Sequence, residues 1–355
     1  MSRFFSSKYQ SLEAYTPGEQ PRDMKYIKLN TNESPYPPSQ NVTEAVRAES
    51  ERLNLYSDPE SRELTQTVAD RFSVKYENVL MTNGSDEILN FAFMAFCDDK
   101  KGMAFPNISY GFYPVFAELN NIPYKEIPLR DDFSINVEDY CNLGMNIVIA
   151  NPNAPTGLAL SLESIEKIVS TNRDSVVIID EAYVDFGAES AIELTKKYDN
   201  LLVTQTFSKS RSLAGARLGY GIGCEELIND LNTIKYSTNP YNVNRMTSAA
   251  GIAAIKSDDY YMGNCKEIAD TREYTKSELQ MLGFTVLNSK SNFLFAKPAK
   301  LGGEEYYLTL KKNGILVRHF GKELIKDYVR ITIGTPEQMR ALIETTEKIL
   351  GGDIK

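Results

Sequence analysis

Lys209 is the residue around which chemistry in this chain can be organised. It sits in Thr206-Phe207-Ser208-Lys209, just after the apolar run Leu201-Leu202-Val203, which has the length and character of a strand. A lysine at the carboxyl end of a strand in an open α/β sheet stands where such sheets bind ligands. Held drier than a surface lysine, its amine is neutral and can attack an aldehyde. Two other polar strand ends accompany it. Asp180 closes the run Val176 to Ile179 and opens Asp180-Glu181-Ala182-Tyr183, and Asn151 to Gly157 follows the apolar run before that. Alone, each reads equally well as a solvated loop or a cap. Several polar strand ends directed at one crevice are less ordinary.

A further element suits an anion. Val79 to Thr82 reads as a strand, and Asn83-Gly84-Ser85-Asp86-Glu87 turns at once into an apolar helix, Ile88 to Cys97. A strand, a glycine turn and a helix start point free N–H groups at a negative ligand. Ser85 or Asp86 serves equally well there as an ordinary N-cap. Arg217, in Ala214-Gly215-Ala216-Arg217, adds a cation eight residues past Lys209.

The elements that must position these residues alternate. Strands are expected near Met103 and at Tyr124–Ile127, Asn146–Ala150 and Val176–Ile179, with helices at Ser109–Leu119 and Leu162–Val169 between them. Earlier helices are expected at Thr43–Leu53 and from Ser61, where Leu64, Val68 and Phe72 form one face. Tyr56 lies between these two, in an exposed turn. Short, wholly apolar, β-branched runs are what a mostly parallel sheet covered by helices on both faces requires. After Lys235 the pattern changes to longer helices (Asn244–Ile255, Asp258–Leu282), short strands near Phe293, Leu316 and Val329–Ile333, and a closing helix from Pro336. The expectation is an α/β large domain over 30–240 and a smaller α+β domain over 241–355, with residues 1–29 packing beside it. Two domains also suit 355 residues, more than one core usually serves.

Composition narrows the function. A formal net charge of −9 argues against general nucleic-acid binding. The four cysteines lie far apart with no C-x-x-C pair, and the one histidine, His319, leaves no multi-histidine metal site and no histidine triad. No apolar stretch approaches the roughly 18 residues of a membrane span, and no signal-like segment opens the chain. A soluble, cytoplasmic protein without a metal is expected.

Taken together and in order, Leu29-Asn30-Thr31-Asn32-Glu33, Leu55-Tyr56-Ser57-Asp58-Pro59, Asn83 to Glu87, Asn151 to Gly157, Asp180 to Tyr183, Ser208-Lys209 and Ala214 to Arg217 resemble the pyridoxal-phosphate-dependent aminotransferases of the aspartate-aminotransferase fold (fold type I). Within these, the resemblance is strongest to the histidinol-phosphate aminotransferases. It runs nearly end to end and implies pyridoxal 5'-phosphate as cofactor. It implies that Lys209 binds the cofactor aldehyde and then moves the substrate's α-proton, and that Asp180 pairs with the pyridinium nitrogen. Tyr183 would hydrogen-bond the phenolic oxygen, and Tyr110 would stack on the ring. Gly84, Ser85, Asp86, Thr206, Ser208 and Arg217 would surround the phosphate. The tyrosine matching Tyr56 reaches that phosphate from a neighbouring subunit, so a homodimer with shared sites is implied. One position departs from the family: Ala154 stands where an asparagine usually precedes Pro-Thr-Gly. Either Asn153 takes over its bond to the ring oxygen, the reading preferred here, or Tyr183 holds that oxygen with less help.

The resemblance further implies L-histidinol phosphate and the glutamate/2-oxoglutarate pair as substrates, in histidine biosynthesis. Arg318 and Arg330 match positions that accept both anions in turn, with Tyr15 and Asn32 beside them. Arg318 also reads as an exposed strand-end arginine, and His319 as a surface or packing residue. Rivals on the same fold are an aromatic amino-acid aminotransferase and a threonine-phosphate decarboxylase. A rival of another class, a non-catalytic binding module, has no need of Lys209.

Overall fold

The computed structural model of the chain describes residues 2–10 and 12–354. Its centre is a seven-stranded sheet in the order Val79–Thr82, Gly219–Ile222, Leu201–Thr206, Val177–Asp180, Asn146–Ala150, Met103–Pro106, Tyr124–Ile127. Only Gly219–Ile222 runs antiparallel to its neighbours. The apolar runs alternate between two helix-covered faces. Ile147, Ile149, Val177, Ile179, Leu201 and Val203 face one core, and Val148, Ile178 and Leu202 the other, as a pleat of period two requires. Register sets Ala150, Asp180 and Thr204 level across three adjacent strands. The residues that follow them therefore emerge along one shelf at the carboxyl edge of the sheet.

A second core lies around the antiparallel strands Arg318–His319, Val329–Thr332, Phe293–Lys297 and Thr285–Val286. The closing helix Pro336–Gly351 covers it, begun by a capping box between Thr335 and Gln338 that satisfies its first free N–H groups. Ile27–Lys28 pairs in parallel with Ile315–Leu316, and Leu29 is buried in this second core.

Three expectations need correction. A boundary at 240 is too early: helix Arg245–Lys256 packs on helices Gln40–Ser50 and Arg62–Phe72, with Ala250 and Ala254 buried in the first core. The chain crosses to the second core only along helix Asp258–Met281, whose Cys265 and Ile268 are buried there. The first helix is Gln40–Ser50 rather than Thr43–Leu53. The helix expected from Ser109 starts at Phe112, because Ser109 and Tyr110 form the loop that overhangs the shelf.

Candidate active site

The shelf opens into two adjoining cavities of 210 and 350 Å³ whose walls share Thr31, Tyr110, Ala154, Tyr183 and Lys209. In the smaller cavity, Asp180 is almost wholly buried. Its carboxylate accepts from Tyr113 Oη at 2.9 Å and lies 3.4 Å from Thr204 Oγ1. Burial pushes it up to about 6 despite those bonds, and among the described residues no Lys or Arg forms a salt bridge to it. A carboxylate so placed lacks only a cation. Lys209 Nζ donates to the Thr31 carbonyl at 3.2 Å and stands 5.8 Å from the centre of the Tyr183 ring. Burial first, and then the Arg330 charge, lower its amine to about 8. An appreciable fraction is therefore neutral near physiological pH.

The far end of this cavity is built for an anion. Helix Ser85–Phe96 starts there after Gly84, which has φ +78°; a Cβ at Gly84 would lie 2.7 Å from Arg217 Nη2. Strand Gly219–Ile222 crosses so close that a Cβ at Gly219 would stand 2.5 Å from the Ser85 nitrogen. Arg217 itself has φ +54°, which costs a non-glycine residue roughly 1–3 kcal/mol, and its side chain lines the cavity. Its Nη1 lies 3.4 Å from Ser208 Oγ, and its Nη2 pairs with Asp86 at 3.1 Å. The Thr206 hydroxyl lies 2.9 Å from Ser208 Oγ and accepts from the Ser208 N–H at 3.1 Å. Tyr110 Oη donates to Asp86 at 2.7 Å. The Asp86 carboxylate is thus engaged by Arg217 and Tyr110, and what it offers an anion is its backbone N–H at the helix start.

A buried acid without a cation, a depressed lysine and an anion corner around one 210 Å³ cavity match the ring nitrogen, aldehyde and phosphate of pyridoxal 5'-phosphate. The residues present fit that group.

The larger cavity has the arginines at its mouth. Arg330 Nη2 donates to the Asn30 carbonyl at 3.0 Å, its guanidinium lies between the Phe293 and Phe320 rings, and its buried Nε has no protein partner. Arg318 donates to the carbonyls of Thr16 and Pro17 at 3.3 and 3.2 Å. Tyr15 packs on Phe112 with ring centroids 4.3 Å apart.

With this geometry in view, comparison with known proteins is decisive. Residues 24–345 match the family "Aminotransferase class I and II". The chain belongs to the class I and II aminotransferases. The cofactor of this family is pyridoxal phosphate. The aminotransferase is 52% identical to a histidinol-phosphate aminotransferase of Brachyspira hyodysenteriae, over 99% of both chains. It is 48% identical to one of Clostridium beijerinckii, over 100% of this chain and 99% of the other. Its fold superposes with TM-score 0.88 on the Sinorhizobium meliloti histidinol-phosphate aminotransferase solved with pyridoxal-5'-phosphate, at 22% identity and 99% coverage of each chain.

Of the predicted site residues, Asn153 stands elsewhere than expected. Asn153 does not face the cavity in place of the missing asparagine. Its Nδ2 donates to the Ile108 carbonyl at 3.0 Å and lies 3.1 Å from Thr156 Oγ1, while its Oδ1 accepts from Ser109 at 2.8 Å. The methyl of Ala154 lines the wall instead. Asn32 lines the larger cavity, where its Nδ2 donates to Tyr183 Oη and its Oδ1 accepts from Thr332. Tyr56 is 80% exposed, stacks on Tyr241 at 4.6 Å and lines neither cavity of its own chain. His319 lies 2.7 Å from the Lys326 carbonyl and stacks on Tyr307. Tyr113 was not anticipated as a partner of Asp180; in the sequence it reads as one more apolar position of a helix.

Proposed function

We propose that this aminotransferase moves the amino group of L-histidinol phosphate to 2-oxoglutarate, giving imidazole acetol phosphate and L-glutamate, a step of histidine biosynthesis. The observation that carries the reading is the arginine pair at the cavity that also holds Lys209: Arg330, with an unpartnered Nε, and Arg318 line one wall. The substrates carry a phosphate in one half-reaction and a carboxylate in the other. A guanidinium pair can bind either through charge-assisted hydrogen bonds and release it again.

Asp180, Lys209, Ser208, Arg217 and the helix start at Ser85 would hold the cofactor, and Tyr183 would face its phenolic oxygen. When bound, pyridoxal phosphate supplies the sink for electrons released at the substrate's amine-bearing carbon. Asp180 keeps a proton on the ring nitrogen. Lys209 Nζ would take the proton from the amine-bearing carbon and deliver it to the carbon that carried the cofactor's aldehyde, at a pKa near the working pH, which suits a general base. Tyr15 and Tyr110 line the same cavity and would pack beside the substrate.

Tyr56, exposed on the surface beside Tyr241, suits a residue that completes the site of a second copy, so the working unit is a homodimer. No helix among the described residues is long and apolar enough to cross a membrane, and the four cysteines are unpaired, in keeping with a cytoplasmic enzyme. The test is an assay of glutamate formation from 2-oxoglutarate with histidinol phosphate, phenylalanine, tyrosine and threonine phosphate as alternative substrates. Histidinol phosphate should give the highest kcat/KM. Preference for phenylalanine would install the aromatic reading, and carbon dioxide release from threonine phosphate the decarboxylase reading.

A further inference from the structure

The cofactor cavity is unevenly supplied with donors. Its lining includes Ser85, Ser208 and Arg217 at the anion corner and, away from their donors, Ala154, Ala182 and Tyr183. On a pyridoxal ring the phosphate arm and the phenolic oxygen flank the aldehyde-bearing carbon on opposite sides. With the phosphate at Arg217, the aldehyde at Lys209 and the ring nitrogen at Asp180, the oxygen would be directed away from Arg217, toward the wall of Ala154, Ala182 and Tyr183. The methyls of Ala154 and Ala182 donate nothing, the Ala182 N–H is directed at Asp180, and the Asn153 amide is turned away toward Ile108 and Thr156. That leaves the Tyr183 hydroxyl as the side-chain donor of this wall.

A hydroxyl has one proton, so its direction matters. Asn32 Nδ2 lies 3.0 Å from Tyr183 Oη. An amide N–H can only donate, so the tyrosine oxygen accepts there and its own proton stays available to the cavity. The amide is held in this sense. Asn32 Oδ1 accepts from the Thr332 hydroxyl at 3.0 Å, and that hydroxyl accepts from the Asn32 N–H, also at 3.0 Å. Asn292 Nδ2 donates to the Asn32 carbonyl at 2.9 Å. A flipped amide would strip the Thr332 proton of its acceptor. The backbone at Asn32 has φ +56°, a conformation asparagine tolerates better than most residues.

We infer that Asn32 is a positioning residue for Tyr183: its amide fixes the direction of the Tyr183 proton, and the pair supplies the ring-oxygen contact that Ala154 cannot make. The inference rests on the cofactor assignment above. The charged groups that act on Tyr183 are Arg330, Lys209, Asp180 and Asp86, and they are unchanged in the Tyr183, Asn32 and Ala154 variants below.

The test is a pH titration of the visible band of the holoenzyme. A donor to the phenolic oxygen stabilises the form that has lost the proton on the nitrogen joining Lys209 to the cofactor. Removing the donor therefore raises the midpoint. Tyr183→Phe should raise it by roughly one unit and Asn32→Gly, which tolerates the positive φ, by roughly half a unit. Asn32→Gly should add nothing in the Tyr183→Phe background, because the two act as one device. An Asn32→Gly midpoint equal to wild type, or shifts that simply add, would overturn the inference. Should Asn32→Gly fail to fold, Ala154→Asn carries the test: a new donor on the wall lowers the midpoint if the wall is short of donors, and an unmoved midpoint overturns the proposal. A wild-type holoenzyme without the band, or a band that survives in Lys209→Ala, would instead overturn the cofactor assignment.

Discussion

The floor of the active-site cavity and its mouth are held by different means. On the floor, Asp180, Ser208 and Lys209 leave the carboxyl ends of neighbouring parallel strands. Their polar contacts run largely to side chains of the same core: Tyr113 and Thr204 for Asp180, Thr206 and Arg217 for Ser208. At the mouth, Arg318 and Arg330 stand on short strands of the second core and reach back to main-chain carbonyls of Thr16, Pro17 and Asn30. Asp180 and Ser208 are thus held within one sheet and the elements packed on it, and Lys209 reaches in addition to Thr31 of the early segment, whereas the mouth is assembled from segments far apart in the chain. Such an arrangement lets substrate choice change at the mouth while the chemistry of the floor stays put.

The sharpest break of that contrast is at the floor. Lys209→Ala should abolish transamination and the visible band of the lysine-bound cofactor, with the circular dichroism of a folded protein retained, since no core apolar contact is removed. A band that persists would place the reactive amine elsewhere.

Asp180→Ala comes next. Removing one partner of a buried ion pair costs about 3–5 kcal/mol, here divided between cofactor retention and turnover. Cofactor dissociation and kcat measured together should both worsen. Near-wild-type values of each would detach Asp180 from the ring nitrogen.

A third test asks whether the mouth extends to a second copy. Mixing Lys209→Ala with Tyr56→Ala subunits should form dimers with one doubly defective and one intact site, restoring about a quarter of wild-type sites after random exchange. Exchange without recovery would confine Tyr56 to its own subunit or remove it from the site.

The smallest effect couples the two regions. The Lys209 amine is lowered to about 8 by burial first and by the Arg330 charge second. Its neutral fraction, and with it the rate at which apoprotein captures pyridoxal phosphate covalently, should fall about tenfold per pH unit below that value and level off above it. Arg330→Met removes a positive neighbour and should move the midpoint upward. A flat profile between pH 6 and 9 would mean that the amine titrates outside that range.

How much of this was legible beforehand follows the same division. The floor strands are buried on both faces, so they appear in the sequence as unbroken apolar runs, and the polar residue that ends each run announces the shelf. Asp180 and Lys209 could be placed that way. Asn153 could not be judged, because its neighbours Ser109 and Ile108 come from another strand end and compete for the same amide. Tyr113 was hidden for a related reason: its ring serves the core and only its hydroxyl serves Asp180. The early boundary at 240 came from a change in helix length, which does not reveal that the small residues Ala250 and Ala254 let helix Arg245–Lys256 pack into the first core.

The division of labour is tested most directly by the ratio of kcat/KM for histidinol phosphate to that for histidinol, in wild type and in Arg318→Leu, with the visible spectrum recorded in parallel. Wild type should favour the phosphorylated substrate at least tenfold, about 1.4 kcal/mol. Arg318→Leu should erode that preference and leave the spectrum unchanged. Equal treatment of the two substrates by wild type, or a spectrum disturbed by Arg318→Leu, would contradict a mouth that selects and a floor that reacts.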